Sequence, residues 1–194
     1  VAGTSGSTLR AAVVNNLVAS ADAESGVELL ADGPDGVIEA LVLNNTVAES
    51  RAGIQATART DLGARISGQV ANNLLAHHAA GAMRLPNGLD LPNHHNLVYA
   101  SGPLPPNGYQ PHGPHTRYGN PAFADRAQGD YRLLATSDAI DRGDDSLSGP
   151  AGSHDASGDP RRVRTLDIGA YEFLGAALPP DAGADVTAVP ALAP

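Results

Sequence analysis

Apolar and polar side chains alternate along this chain over stretches of only four to six residues, as in Val27-Glu28-Leu29 and Ile66-Ser67-Gly68-Gln69-Val70, and few stretches carry a helical stripe. A period of two is the mark of a strand with one face toward a core. Gly, Asn, Asp and Pro separate these stretches and predict corners between them. The pattern also repeats. Val13-Val14-Asn15-Asn16-Leu17-Val18 returns as Val42-Leu43-Asn44-Asn45-Thr46-Val47 after 29 residues and as Val70-Ala71-Asn72-Asn73-Leu74-Leu75 after 28 more. Each Asn pair is followed by a glycine marker at Gly26, Gly53 and Gly81, and a degenerate fourth copy begins at Asn96-Leu97-Val98-Tyr99.

A unit of about 28 residues with two or three short strands cannot bury a hydrophobic face alone, whereas stacked copies bury a continuous one. The expected fold is therefore all-β: a right-handed parallel β-helix, or solenoid, of a few coils with an irregular C-terminal cap. Adjacent coils would lie about 4.8 Å apart, with equivalent side chains in ladders. Stacked Asn residues suit such a ladder because each amide both donates and accepts, and Asn tolerates the left-handed backbone of a corner. A leucine-rich repeat horseshoe is the runner-up, but its leucine spacing and helical return are missing.

The expected organisation is β-helix coils over 1–100, a Pro/Gly/His-rich loop over 101–119, a capping region over 120–175 and an Ala/Pro-rich linker or tail over 176–194. Composition narrows the function. The chain has 194 residues with 12 basic and 21 acidic side chains, and every basic one is arginine. A net charge of −9 leaves no basic stripe for a phosphate backbone, so nucleic acid is not an expected partner. Cysteine is absent, which excludes disulfides, thiolate metal sites and Cys nucleophiles. No apolar run is long enough for a membrane-spanning helix. The opening from Val1 through Gly3-Thr4-Ser5-Gly6-Ser7 has no export-signal pattern and predicts a portion excised from a longer chain.

The last third carries four ordered motifs: Asn120-Pro121-Ala122-Phe123-Ala124-Asp125, Gly129-Asp130-Tyr131-Arg132-Leu133, Ser137-Asp138-Ala139-Ile140-Asp141-Arg142-Gly143 and Asp167-Ile168-Gly169-Ala170-Tyr171-Glu172. This set resembles the C-terminal portion of secreted bacterial right-handed parallel β-helix proteins of the choice-of-anchor Q domain type. Asp155, Gly158 and Arg161 fall in the expected order between the last two motifs. The family's Ser-Pro-Ala-Ile-Asp stands here as Ser137-Asp138-Ala139-Ile140-Asp141, without the proline. The resemblance implies a secreted or cell-surface protein with polysaccharide as its partner, and implies no single reaction.

Seven of the 16 Asp residues lie between Asp138 and Asp167, near Arg142, Arg161, Arg162 and Arg164. The leading expectation is an Arg-paired, hydrogen-bonded cap over the last coil; a calcium site and a solvated acidic loop are the alternatives. Aligning the repeats by their Asn pairs puts Ser20, Glu49 and His77 in one column and Ala21, Ser50 and His78 beside it. Glu49, His77 and His78 are thus the candidate substrate-binding residues, with a solvated Glu/His pair as the plain reading. Adjacent histidines should point to opposite faces of a strand, so neither His77-His78 nor His94-His95 is expected to chelate a metal, and no cofactor or catalytic residue is assigned.

The expected function is a noncatalytic structural or adhesive surface module that contacts polysaccharide. The alternatives are a fragment of a polysaccharide lyase or glycoside hydrolase, and a homo-oligomeric filament subunit joined through β-helix edges.

Overall fold

The structure is a computed structural model that describes residues 2–3, 6–19, 23–103 and 107–175. Ser20 and Ala21, the first members of the two corner columns, lie outside the described residues, as does the tail from residue 176. After β1 (Ala2–Gly3), the chain visits three sheets in a fixed rotation. The first repeat contributes β2 (Thr8–Val14), β3 (Leu17–Ala19) and β4 (Ser25–Ala31). The second contributes β5 (Val37–Leu43), β6 (Thr46–Ala48) and β7 (Ala52–Ala58), and the third β8 (Arg65–Ala71), β9 (Leu74–Ala76) and β10 (Met83–Arg84). The fourth is reduced to β11 (Asn93–His94) and β12 (Leu97–Tyr99). Pairing is parallel throughout these sheets: β1-β4-β7-β10, β11-β8-β5-β2, and a third that runs from β3 through β6, β9 and β12 to β13 (Arg117–Tyr118). The protein is thus all-β with parallel sheets. The strand at Arg117 lies inside the stretch expected to be loop, where backbone pairing with Leu97 extends the sheet by one more rung.

Register follows the sequence repeat. Val13, Val42 and Val70 are paired in line, as are Val18, Val47, Leu75 and Val98. Inward residues of all three sheets form one core, including Val27, Leu29 and Ile54 from the first, Ile38, Val42 and Ile66 from the second, and Val47, Leu75 and Val98 from the third. Each fully buried aliphatic side chain contributes about 1.5–3 kcal/mol.

The two residues of each Asn pair have different tasks. The second member forms the ladder. Asn16 donates from its backbone N and its Nδ2 to Asn45 Oδ1 (3.0 Å each), and Asn45 Nδ2 donates to Asn73 Oδ1 (2.9 Å). Asn73 continues to Asn96 Oδ1 from its N (2.9 Å) and Nδ2 (3.1 Å). Each amide also donates to a carbonyl of the preceding repeat: Asn45 to Val13 O, Asn73 to Val42 O and Asn96 to Val70 O. The first member turns the corner, with φ of 56° at Asn15, 51° at Asn44 and 56° at Asn72. In this left-handed region Asn is among the few residues that sit without large strain.

The region 120–175 does not sit where it was expected, over the last coil. It runs along the flank of the β3-β6-β9-β12 sheet and bonds the corners of the first three repeats. Asn15 Nδ2 donates to Ala151 O (2.6 Å), Asn44 Nδ2 to Asp167 O (3.1 Å), and Asp144 N donates to Asn72 Oδ1 (2.8 Å). Gly169 N reaches Asn72 O (2.8 Å), and Ala170 N reaches Thr46 Oγ1 (2.9 Å). Gly169 has φ 108°, and a Cβ there would lie 2.8 Å from Thr46 Oγ1, so glycine lets the segment press onto the sheet. The reason for this placement is apolar. Leu74, Ala76 and Leu97 point out of the sheet and are buried under Leu133, Ala139 and Ile168. A strand pair such as Leu74-Leu75, apolar on both faces, needs cover on both sides. Within the flank, β14 (Phe123–Asp125) and β15 (Asp130–Leu133) form an antiparallel hairpin, and α1 is a single turn, Ser148–Ala151.

The flank's interior is held by carboxylates that accept from backbone amides, with arginines adding to them. Asp155 accepts from Ser157, Asp159 and Glu172 N, Asp167 from Asp141 and Phe173 N, and Glu172 from Val163 and Asp167 N. Arg161, 1% exposed, pairs with Glu172 (3.5 Å) and donates to Asp167 O (2.8 Å). On the rim, Arg162 pairs with Asp145 and Arg164 with Asp141, each at 2.7 Å. One buried guanidinium cannot neutralise three buried carboxylates. Burial raises Asp167 to about 6, and burial together with the charge of Asp167 raises Glu172 to about 7.

Replacing Asn45 by Ala strands the Asn16 amide and Val13 O, and should destabilise the protein by about 1–3 kcal/mol; an unchanged melting temperature would contradict the ladder. A second expectation concerns pH. Because the folded pKa of Glu172 is raised, its contribution is complete below the ordinary carboxyl value and is lost as pH rises through about 7. The melting temperature of the wild type should therefore fall relative to Glu172→Gln between about pH 5 and pH 8; parallel curves would refute the buried charge.

Candidate functional site

The corner after the third sheet holds the residues singled out from the sequence. Glu49 and His77 follow β6 and β9 in register, both left-handed (φ 68° and 62°), with Glu49 N donating to Ala76 O at 3.2 Å. The alignment thus placed them correctly as neighbours on adjacent repeats. Their surroundings differ from a free Glu/His pair. Arg126 of the flank forks onto the Glu49 carboxylate through Nε and, at 3.0 Å, Nη2, and this hydrogen bonding holds Glu49 below its usual range. His77 packs edge-on against Tyr99, with ring centroids 5.4 Å apart. Burial, then the charge of Arg126, lowers its pKa.

His78 is a core residue, 1% exposed, and not a surface ligand. Its Nε2 faces Val47 O (3.1 Å), while Nδ1 lies near Ser50 Oγ (3.2 Å) and Ser50 O (3.0 Å). Burial lowers its pKa even though the two carbonyls work in the opposite direction. The Ser50 hydroxyl donates to Ala52 O (2.7 Å), so a neutral ring satisfies one carbonyl at a time, Val47 O from Nε2 or Ser50 O from Nδ1. Gly53 is required beside it: a Cβ there would fall 2.9 Å from His78 Nε2 and 2.3 Å from Ala82 O. The glycine marker of the repeat therefore makes room for the tucked corner side chain.

A different group of histidines converges at the first corner. His94 ends β11, and His95 takes the place of the corner Asn, with φ 49°. The expectation that adjacent histidines point to opposite faces fails here, because alternation holds only along an extended strand and His95 has already left it. The two Nδ1 atoms face each other at 2.9 Å, and Asp144 Oδ2 lies 3.7 Å from His94 Nδ1. The three ligand-type atoms all lie within 4.8 Å of one another. On the far side of His94, Nε2 meets the Gln69 side-chain amide at 2.5 Å. The His115 ring stacks on His95 at 4.5 Å. Burial lowers the pKa of both His94 and His95. Against the cost of burial, hydrogen bonds from Ser146 and the nearby His95 and His94 hold Asp144 below its ordinary value.

His95 and His115 also line a cavity of about 570 Å3 with Arg117, Asp138, Asp141 and Arg142 at the seam between the sheets and the flank. Sequence reasoning missed this group. The signal was present: aligning Asn96 with Asn73 puts His95 in the left-handed column of Asn15, Asn44 and Asn72. Comparison of the chain with family models, curated proteins and solved structures gives no match.

These assignments separate by energy. Glu49→Gln removes a partly exposed ion pair and should change stability by about 1 kcal/mol or less. His78→Ala empties a buried site and leaves a carbonyl, Val47 O or Ser50 O, without its donor, for a loss of about 2–4 kcal/mol. Chemical denaturation of both variants checks this, and a costlier Glu49 change would reverse the assignment.

Proposed function

We propose that this chain is a noncatalytic, secreted or cell-surface module folded as a right-handed parallel β-helix, with a structural or adhesive role and polysaccharide lying along one lateral face. The fixed rotation through three parallel sheets and the single core drawn from all three support the β-helix reading. The four motifs of the last third, which resemble the choice-of-anchor Q type, support the secreted setting.

The observation that carries the functional reading is the outer face of the β2-β5-β8-β11 sheet. Arg10, Glu39 and Ser67 stand in register there, with Asp90 bridged to Ser67, and Arg10 bonds Glu39 at 2.7 Å. Beside them runs the row Ala12, Leu41 and Gln69, in which Leu41 is 38% exposed. Between the two rows lies a groove of about 410 Å3, lined by Arg10, Ala12, Glu39, Leu41 and Gly68. An apolar floor edged by fixed polar groups suits the CH face and hydroxyls of a sugar chain. The repeat spaces these rows evenly, so the face matches a polymer better than a single small molecule.

One feature favours the enzyme alternative: the seam cavity brings together Asp138, Asp141, Arg142, His95 and His115, residue types that serve glycoside or uronate chemistry. No helix among the described residues is long and apolar enough to cross a membrane.

Affinity electrophoresis against a panel of neutral and acidic polysaccharides tests the reading. The wild type should be retarded by at least one, and Leu41→Arg, a change at an exposed position, should be retarded several-fold less. Retardation untouched by Leu41→Arg would refute this face. Release of reducing ends or unsaturated products would replace the module with an enzyme.

A further inference from the structure

We propose that His94, His95 and Asp144 form a binding site for a divalent transition-metal ion of the zinc class, one that pins the C-terminal flank to the sheets. The inference stands apart from the polysaccharide reading. It begins with the two imidazole Nδ1 atoms, 2.9 Å apart on neighbouring residues. With both rings neutral, one Nδ1 must carry a proton and donate to the other; with both lone pairs free, the atoms repel unless a cation lies between them. Asp144 Oδ2, 3.7 Å from His94 Nδ1, adds a carboxylate oxygen. In a tetrahedral zinc site with bonds of 2.0–2.2 Å, ligand atoms are about 3.3 Å apart. Two of the three separations here, 2.9 Å and 3.7 Å, bracket that value, and the third is within 4.8 Å.

The supporting contacts fit the same purpose. A metal-bound histidine fixes its orientation by bonding through its other nitrogen, and His94 Nε2 meets the Gln69 amide at 2.5 Å. Turned so that Oε1 accepts from Nε2, that amide leaves Nδ1 as the lone-pair nitrogen, which is the form a metal needs. Asp144 Oδ1 is occupied by Ser146 N at 2.9 Å, so Oδ2 remains for the ion. Asp144 is itself placed by its backbone bond to Asn72 Oδ1 (2.8 Å). The side chains of His94 and Asp144 are only 18% and 24% exposed, which limits competition from water.

Two imidazoles and one carboxylate select zinc, nickel or copper over calcium and magnesium, which prefer all-oxygen sets. Three protein ligands leave a fourth position, and His95 lines the seam cavity where a water or an anion would enter. His94 and His95 belong to the fourth repeat, whereas Asp144 belongs to the flank, so the ion would tie the two together.

Isothermal titration of the untagged full chain with zinc alone, at neutral pH, tests the site. The result expected is one zinc per chain, with weak or absent heats for calcium and magnesium. His95→Asn is the decisive variant, because it installs at the fourth corner the residue found at the other three and so preserves the turn while removing a ligand. Its affinity should drop by at least about tenfold, as should that of Asp144→Asn. Zinc at a few times the wild-type Kd should raise the melting temperature of the wild type and raise that of His95→Asn clearly less. Absence of zinc binding, equal affinity in His95→Asn, or equal affinity for calcium would each overturn the proposal.

Discussion

Each repeat must turn a corner without stranding the amides it exposes there, and the stacked asparagines meet that demand. A strand leaving one sheet for the next loses its ladder partners at the bend. Burying an amide without a partner costs about 1–3 kcal/mol, a substantial part of a small domain's net stability. The second Asn of each pair solves this by accepting from the amides of the preceding repeat and donating on to the next. The first absorbs the left-handed backbone and offers its side chain outward. The repeat length and strand register follow from keeping these two positions in line. The thin aliphatic core fits within the same frame, since its small side chains fill a narrow interior.

The outward amides explain the second half of the chain. Asn15, Asn44 and Asn72 present polar groups in a column, and the flank meets them with carbonyls and amides of its own. Apolar residues beneath, Leu74, Ala76 and Leu97, supply the burial that holds it there. Its interior is polar, with carboxylates ordering loops that have no sheet to bond to. That solution accumulates negative charge around Arg161, so the stability of the flank is tied to protonation in the range where Asp167 and Glu172 titrate.

Strands, parallel stacking and the Asn ladder were legible because they depend on local periodicity and on one repeated residue type. The neighbourhood of Glu49 and His77 was legible for the same reason, being a matter of register. Arg126 was not, because it is 77 residues away from Glu49 and belongs to no repeat. The flank's position was hidden by reading Leu74-Leu75 only as a strand, when two adjacent buried leucines signal cover on both faces. His78 was taken for a corner side chain on the surface, yet the small residue at Gly53 lets it turn inward. The His94-His95 convergence was missed by carrying strand alternation one residue too far, into a corner where His95 stands in for Asn. In each case the error lay where regular repetition gives way to a contact made by something outside it.

The stacked repeats depend on the side chains of Asn45 and Asn73 being bonded to each other in the interior. Solution NMR of the side-chain amide protons tests this most directly. Slowly exchanging NH2 protons on Asn45 and Asn73, with cross-relaxation linking Asn45 to both Asn16 and Asn73, are the predicted result. Rapid exchange with solvent and no contacts among the three residues would contradict it.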